Sequence, residues 1–284
     1  MTEKRVPWGS VACVFLASLL FSTGGLLMKW IPWAPLAING VRNLIGAGII
    51  GVYLLCTRHR LVFSRSVLVG ALSMLGVTTL FAVSNKLTTA ANAIVLQFTA
   101  PVFVILISAF FFHIPPKKAE ILTCAVVLLG VCLFFVDGFQ AGNWLGNLTA
   151  VISGVCYAGV FLMNTGKNSD AISSAFLGQL AAGVLFTPLV LRETDFSAAP
   201  VAAVLCLGVF QVGLAYVFFS AGIRNTPAVT ASLITGLEPV LNPLLVAVFY
   251  GEMISPLSVA GAVLVVGSIV AYNVWMARAK GAPA

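Results

Sequence analysis

The stretches KLTTAANAIVLQFTAPV (Lys86–Val102) and RNTPAVTASLITGLEPV (Arg224–Val240) decide how this chain is built. At a shift of 138 residues, Lys86, Thr88, Ala90, Ala93, Pro101 and Val102 fall on Arg224, Thr226, Ala228, Ala231, Pro239 and Val240, and Gly70 and Phe81 fall on Gly208 and Phe219. The register persists outside the two strings. At 137, Gly46 and Gly130 meet Gly183 and Gly267; at 135, Ser18, Gly24, Leu27 and Met28 meet Ser153, Gly159, Leu162 and Met163. Ala, Gly and Leu are abundant here, so single matches carry little. Their constant order along the chain identifies an internal duplication.

Both strings lie within long apolar runs. The chain has 284 residues, of which 60% are hydrophobic and 8% charged, whereas a soluble domain carries roughly a quarter charged residues. Runs of bilayer-spanning length cover Trp8 to Met28, Leu36 to Cys56, Val67 to Ser84, Ala90 to Phe112 and Ile121 to Val136. The second half contributes Leu145 to Asn164, Ala171 to Leu191, Val201 to Gly222, Pro227 to Tyr250 and Pro256 to Met276. The expected fold class is therefore an all-α integral membrane protein of ten transmembrane helices. Connections are short, several with turn formers such as Pro115-Pro116 and Asp137-Gly138. No polar stretch is long enough for a separate soluble domain. The first run exceeds a signal-peptide core and lacks an A-x-A-like cleavage site, so it reads as a first membrane helix.

The net charge of +7 comes from scattered basic residues and not from a run, which argues against a nucleic-acid partner. Their placement reports topology. With the N-terminus in the cytoplasm, Lys4, Arg5, Arg58, Arg60, Arg65, Lys117, Lys118, Lys167, Arg224, Arg278 and Lys280 fall inside, and Lys29, Lys86 and Arg192 outside, eleven against three. That is the positive-inside pattern, and ten spans return the C-terminus to the cytoplasm. The expectation is a bacterial-type inner membrane with both termini cytoplasmic.

A repeat of five spans is odd, so the second copy enters the membrane from the opposite side. The units are 1–140 and 141–284, inverted with respect to each other and forming one structural unit. Inverted repeats place a substrate site near the midplane between the copies and allow rocking between two access states. A secondary transporter of a small molecule is the expected function.

Leu237-Glu238-Pro239-Val240, followed by an apolar stretch, Gly251-Glu252, Gly261 and Gly267, resembles the signature of the EamA branch of the drug/metabolite transporter superfamily. Pro101-Val102 and Gly130-Val131 form a weaker first-half copy, with His113 and Ile114 standing where an acid often precedes the loop. The resemblance spans the whole chain. It implies ten helices made of two five-helix units and the export or exchange of metabolites. Within the family the chain is similar to the YddG-like exporters of aromatic and other hydrophobic amino acids.

Polar side chains at mid-span are costly in lipid and are expected to face the bundle interior. Ser18, Ser22, Gly25 and Lys29 share a face of the first span, and Ser153, Tyr157 and Asn164 one of the sixth. Each serves either close packing or the transport path. In the fourth span Gln97, Pro101 and Ser108 share a face; in the ninth, Thr235, Glu238, Pro239 and Asn242 do. Pro101 and Pro239 each remove an N–H, which frees a carbonyl for a ligand or bends the helix. Thr78 and Tyr216 match across the repeat, and Phe98, Tyr157, Phe161 and Tyr216 would form aromatic walls. Glu238, the only mid-span acid, reads as the site of a substrate amine or coupling proton, or as a carboxyl capping the helix before Pro239. Arg42 reads as a contact for a substrate carboxylate or for Glu238, or as a side chain snorkelling to the outer surface.

The sequence holds neither H-E-x-x-H nor G-x-S-x-G, and Gly166-Lys167 lacks the flanking residues of a P-loop. Catalytic residues, cofactors and metals are not expected. Cys13, Cys56, Cys124, Cys132, Cys156 and Cys206 contain no C-x-x-C pair and read as reduced thiols. Sugar phosphates call for several buried cations, which this chain does not offer at mid-span. A zwitterion with an apolar side chain, an amino acid or a similar metabolite, suits one acid, one base, hydroxyls and aromatics better. A monomer suffices for this function.

Overall fold

A computed structural model describes residues 7–28, 30–88, 90–134, 144–165, 168–250 and 255–279. Lys4, Arg5, Lys29, Asp137, Gly138, Gly166, Lys167, Gly251, Glu252 and Lys280, together with the side chains of Gly25, Lys86, Asn242 and Arg278, lie outside the described residues.

The described residues form helices joined by short connections, without strands. In chain order these are α1 (Trp8–Ser22), α2 (Gly24–Met28), α3 (Pro35–Cys56), α4 (Arg65–Leu87), α5 (Ala90–Gln97), α6 (Ala100–Phe111), α7 (Lys118–Phe134), α8 (Trp144–Met163), α9 (Ala171–Phe186), α10 (Ala198–Cys206), α11 (Ala215–Ile223), α12 (Ala228–Thr235), α13 (Glu238–Tyr250) and α14 (Pro256–Ala279). Six stretches are long and apolar enough to cross a bilayer: Pro35–Cys56, Arg65–Ser84, Ala93–Phe111, Trp144–Met163, Ala171–Arg192 and Ala198–Ile223. Trp8–Ser22, Ala228–Leu241 and Val259–Tyr272 are shorter apolar helices. The outer surface is itself apolar, with Leu55, Leu72, Phe110, Phe111 and Val248 all exposed, as expected when lipid is the solvent.

Three apolar runs are interrupted, and each interruption has a local cause. Between α1 and α2 the Thr23 hydroxyl donates to Leu20 O at 2.7 Å. Between α5 and α6, Phe98 and Thr99 form a turn, Thr99 Oγ1 donates to Leu96 O at 2.6 Å, and Pro101 occupies the first turn of α6, where its missing N–H costs nothing. Between α12 and α13, Gly236 and Leu237 turn the chain just before Pro239. A fourth irregularity is the π-helical stretch Leu207–Leu214 between α10 and α11, and α9 closes in a 3-10 turn, Thr187–Arg192, carrying Pro188. Inside a bilayer, irregular backbone survives only where protein or a cavity surrounds it.

The two halves interleave. α3 packs along α9, α4 along α8 and α9, α1 along α11, α7 along α14, α5 and α6 along α8, and α1 also along α12 and α13, while α3 lies against the π-helical stretch. Each of these pairs joins a helix of the first half to one of the second. Small residues permit the approach: at Gly40 on α3 an added Cβ would stand 2.3 Å from the Phe186 carbonyl carbon and the Thr187 nitrogen. Backbone meets backbone there. Across the bundle, Gln97 Nε2 donates to Ser153 Oγ at 2.8 Å and Ser153 Oγ to Val77 O at 3.1 Å, tying α5, α8 and α4 together. At one end, Trp33 Nε1 donates to Asp195 O at 2.7 Å and Ala34 N to Glu193 Oε1 at 3.0 Å.

Candidate functional site

The helix interruptions surround a central cavity. It gives the centres of water-sized molecules about 90 Å³ of room, enough for several waters or a small organic solute. Six of the sequence-predicted residues line it: Arg42, Thr78, Gln97, Tyr157, Tyr216 and Glu238. They arrive from α3, α4, α5, α8, α11 and α13, so both halves contribute.

Arg42 does not snorkel. It is 8% exposed, and its guanidinium is held from within α3: Asn39 Oδ1 accepts from Nη2 at 2.9 Å and from Nε at 3.3 Å. Asn43 Nδ2 donates to the same oxygen at 2.9 Å, and Gln211 Oε1 lies at the 3.5 Å limit from Nη1. The short turn-to-turn spacing of Asn39, Arg42 and Asn43 makes this local pairing available, and it outweighs the path to the surface. The Nη1 edge, weakly held, is the one toward Gln211 and the cavity.

Glu238 begins α13 and is partly buried. Among the described residues its carboxylate makes no hydrogen bond, and no ion pair within 4 Å joins it to Arg42, although Arg42, Tyr157 and Tyr216 each stand within electrostatic range of it. The cavity thus holds one fixed cation and one carboxylate with room between. Asn39 Nδ2 and Asn43 Oδ1 are buried without a partner among the described residues, leaving hydrogen-bonding capacity of the kind that waters or a ligand satisfy.

The remaining candidates stand behind the wall. Phe98 meets Tyr157 edge-on at 6.2 Å between ring centroids, and Phe161 lies 4.8 Å from Tyr157. Both rings are buried and brace Tyr157 instead of lining the void. Thr235 is buried, and its Oγ1 donates to Ser232 O at 3.0 Å. Pro101 and Pro239 are buried in first turns. The carbonyl that Pro101 deprives of its N–H, Gln97 O, faces Gly154, 2.9 Å from where a Cβ there would be; the proline shapes packing more directly than it offers an oxygen to the void. Ser18, Ser22 and Ser153 are fully buried.

Sequence reasoning missed Phe21, Phe81 and Gln211 as lining residues. Gln211 carried a usable signal, since it is the one amide in the run Val201 to Gly222. Phe21 and Phe81 carried none among 20 phenylalanines. Phe21 stacks edge-on with Tyr216 at 4.9 Å. Among the described residues no group of three His, Cys, Asp or Glu would hold a metal ion.

The EamA-like transporter family model matches residues 8–136 and again residues 144–274. The chain belongs to the EamA-like transporter family. A relative named "Uncharacterized transporter YwfM", from Bacillus subtilis (strain 168), is 25% identical over 270 residues, covering 90% of this chain and 91% of that protein. An "Uncharacterized transporter" of Clostridium kluyveri is 27% identical over 203 residues, covering 66% and 64%. One crystal structure superposes with a TM-score of 0.81 at 20% identity, covering 95% of this chain and 98% of that one, which establishes the fold. This EamA-like protein is a multi-pass membrane transporter and not an enzyme. The family model thus matches this chain twice in succession.

Proposed function

We propose that this EamA-like transporter carries zwitterionic solutes, most naturally aromatic or other hydrophobic amino acids, across a bacterial-type inner membrane by alternating access. The observation behind the reading is the central cavity, where the Arg42 guanidinium and the Glu238 carboxylate face a common space beside Phe21, Phe81, Tyr157 and Tyr216. A carboxylate at Arg42 Nη1 and an ammonium at Glu238 would satisfy both charges, and the aromatic rings would receive an apolar side chain. A phosphorylated substrate would leave Glu238 facing added negative charge.

The architecture proposed is ten spans in two inverted five-helix units, 1–140 and 141–284. The packing supports it: moving each span five places along turns the α4–α8 pair into the α11–α1 pair, and the pairs of α5 and α6 with α8 into those of α12 and α13 with α1. The α3–α9 and α7–α14 pairs map onto themselves. The reading carries a pseudo-two-fold axis in the membrane plane, with the two termini cytoplasmic. Reporter fusions after Lys4 and after Lys280 are expected to report cytoplasm; a periplasmic signal from either would refute this topology.

Flux of labelled amino acids in proteoliposomes tests the substrate class. Phenylalanine or leucine is expected to cross, whereas the matched amine and carboxylic acid lacking one charged group are expected to cross poorly. Equal transport of all three would instead favour a carrier for another class of small organic solute.

A further inference from the structure

A second pocket adjoins the central cavity, on the side that carries His59 and Arg224. It gives the centres of water-sized molecules about 110 Å³ of room and is lined by Tyr53, His59, Asn164, Asp170, Ser220 and Arg224, with Ile172 and Val217 on its apolar side. It shares two elements with the central cavity. α8 sends Tyr157 to the cavity while Asn164, just past its end, reaches this pocket; α11 sends Tyr216 to one and Val217 and Ser220 to the other. Along α8 the two lining residues are seven apart, about 10 Å, whereas along α11 Val217 directly follows Tyr216 and Ser220 lies one turn on. Between the cavity and the pocket stand Phe161 and Phe219, 0% and 2% exposed, with ring centroids 5.8 Å apart.

The pocket repeats the chemistry of the cavity with different residues. Asp170 caps α9 and bridges to the 57–64 connection: His59 Nε2 lies 2.9 Å from its Oδ2, and Ser173 N and Ser173 Oγ donate to that same oxygen. Every contact falls on Oδ2, so Oδ1 keeps no partner among the described residues. Arg224 makes no ion pair among the described residues. Ser220 Oγ and Asn164 Oδ1, both more than nine-tenths buried, also have no partner there. The unpaired oxygens of Ser220 and Asn164 lie beside the exposed Arg224 and the half-used Asp170 carboxylate, a polar lining of the kind that water or a ligand completes.

We propose that this pocket is a second substrate site, in series with the central cavity. It receives the carboxylate of the same zwitterionic solute at Arg224 and its ammonium at Asp170 Oδ1, Ser220 and Asn164. The proposal rests on the amino-acid reading of the central cavity. The Phe161–Phe219 pair is the partition that a solute passes between the two sites.

Thiol labelling of the purified full-length protein in detergent tests it, with L-phenylalanine as the probe and peptide mass spectrometry as the readout. Ala221→Cys, at an exposed lining position, reports on this pocket, and Thr78→Cys on the central cavity. Val217→Cys is a second reporter should Ala221→Cys not fold. Phenylalanine is expected to slow labelling at both sites, and Arg224→Gln to abolish protection at Ala221→Cys while leaving it at Thr78→Cys. Protection at Thr78→Cys alone, or Arg224→Gln removing protection at both positions or at neither, overturns the second site and spares the function proposed above. Protection at neither position in the otherwise unmodified protein overturns both.

Discussion

Replacing Glu238 with glutamine is expected to yield a folded, membrane-inserted protein whose transport of a zwitterion falls by about one to two orders of magnitude. A hydrogen bond to a charged group contributes about 1.5–3 kcal/mol, and each 1.4 kcal/mol is about tenfold in affinity. Glu238→Gln keeps shape and a carbonyl acceptor but removes the charge that pairs with an ammonium. Among the described residues the carboxylate makes no hydrogen bond and no ion pair within 4 Å, and Arg42 acts on it only at longer range. A purely structural carboxyl has a different signature. At the first turn of α13 it would favour the helix dipole by about 0.3–1 kcal/mol, so Glu238→Gln would lose a little thermal stability and keep its flux. Initial rates in proteoliposomes, normalised to protein and read beside a melting curve, separate the two; wild-type flux by Glu238→Gln would leave recognition to Arg42 and the aromatic rings.

Gly40→Ala is expected to be strongly destabilising for the addition of a single methyl group. An added Cβ would stand 2.3 Å from backbone atoms of Phe186 and Thr187, which cannot rotate away as a side chain can. α3 and α9 would have to part, and overpacking of this kind costs typically about 1–3 kcal/mol, occasionally more. Gly48, two turns along the same helix, has nothing within 4 Å of the equivalent position. Gly48→Ala is therefore the control, losing no packing and gaining helix propensity. Thermal unfolding in detergent should show Gly40→Ala lowered by several degrees and Gly48→Ala unchanged or slightly raised. Equal behaviour of the two would contradict the α3–α9 contact.

Hydropathy read the helices well because apolar length is a property of the chain alone, but it passed straight through the turns at Thr23, Phe98–Thr99 and Gly236–Leu237. Of these, Pro101 and Pro239 announced two; Thr23 had only a neighbouring glycine. Shared polar faces point Gln97, Tyr157 and Glu238 toward the cavity they line, since lipid gives a mid-span polar group no other place to go, and the repeat match does the same for Thr78 and Tyr216. The same rule applied to Gln211 would have found it too. Arg42 was ambiguous by depth, and only the pairing with Asn39 decides it. Phe98 and Phe161, expected as aromatic walls, stand behind Tyr157, because which ring faces a void depends on rotamers and neighbours, not on spacing.

The interleaving of the halves has a consequence for how the protein is made. When the ribosome has delivered α1 to α7, the surfaces of α3, α4 and α1 that will meet α9, α8 and α11 still face lipid, with Gly40, Asn39, Asn43 and Gln97 uncovered. The first half therefore has no finished interior of its own and waits in the bilayer for the second. A product ending between the halves would leave facing lipid the polar surfaces that the intact carrier keeps hidden.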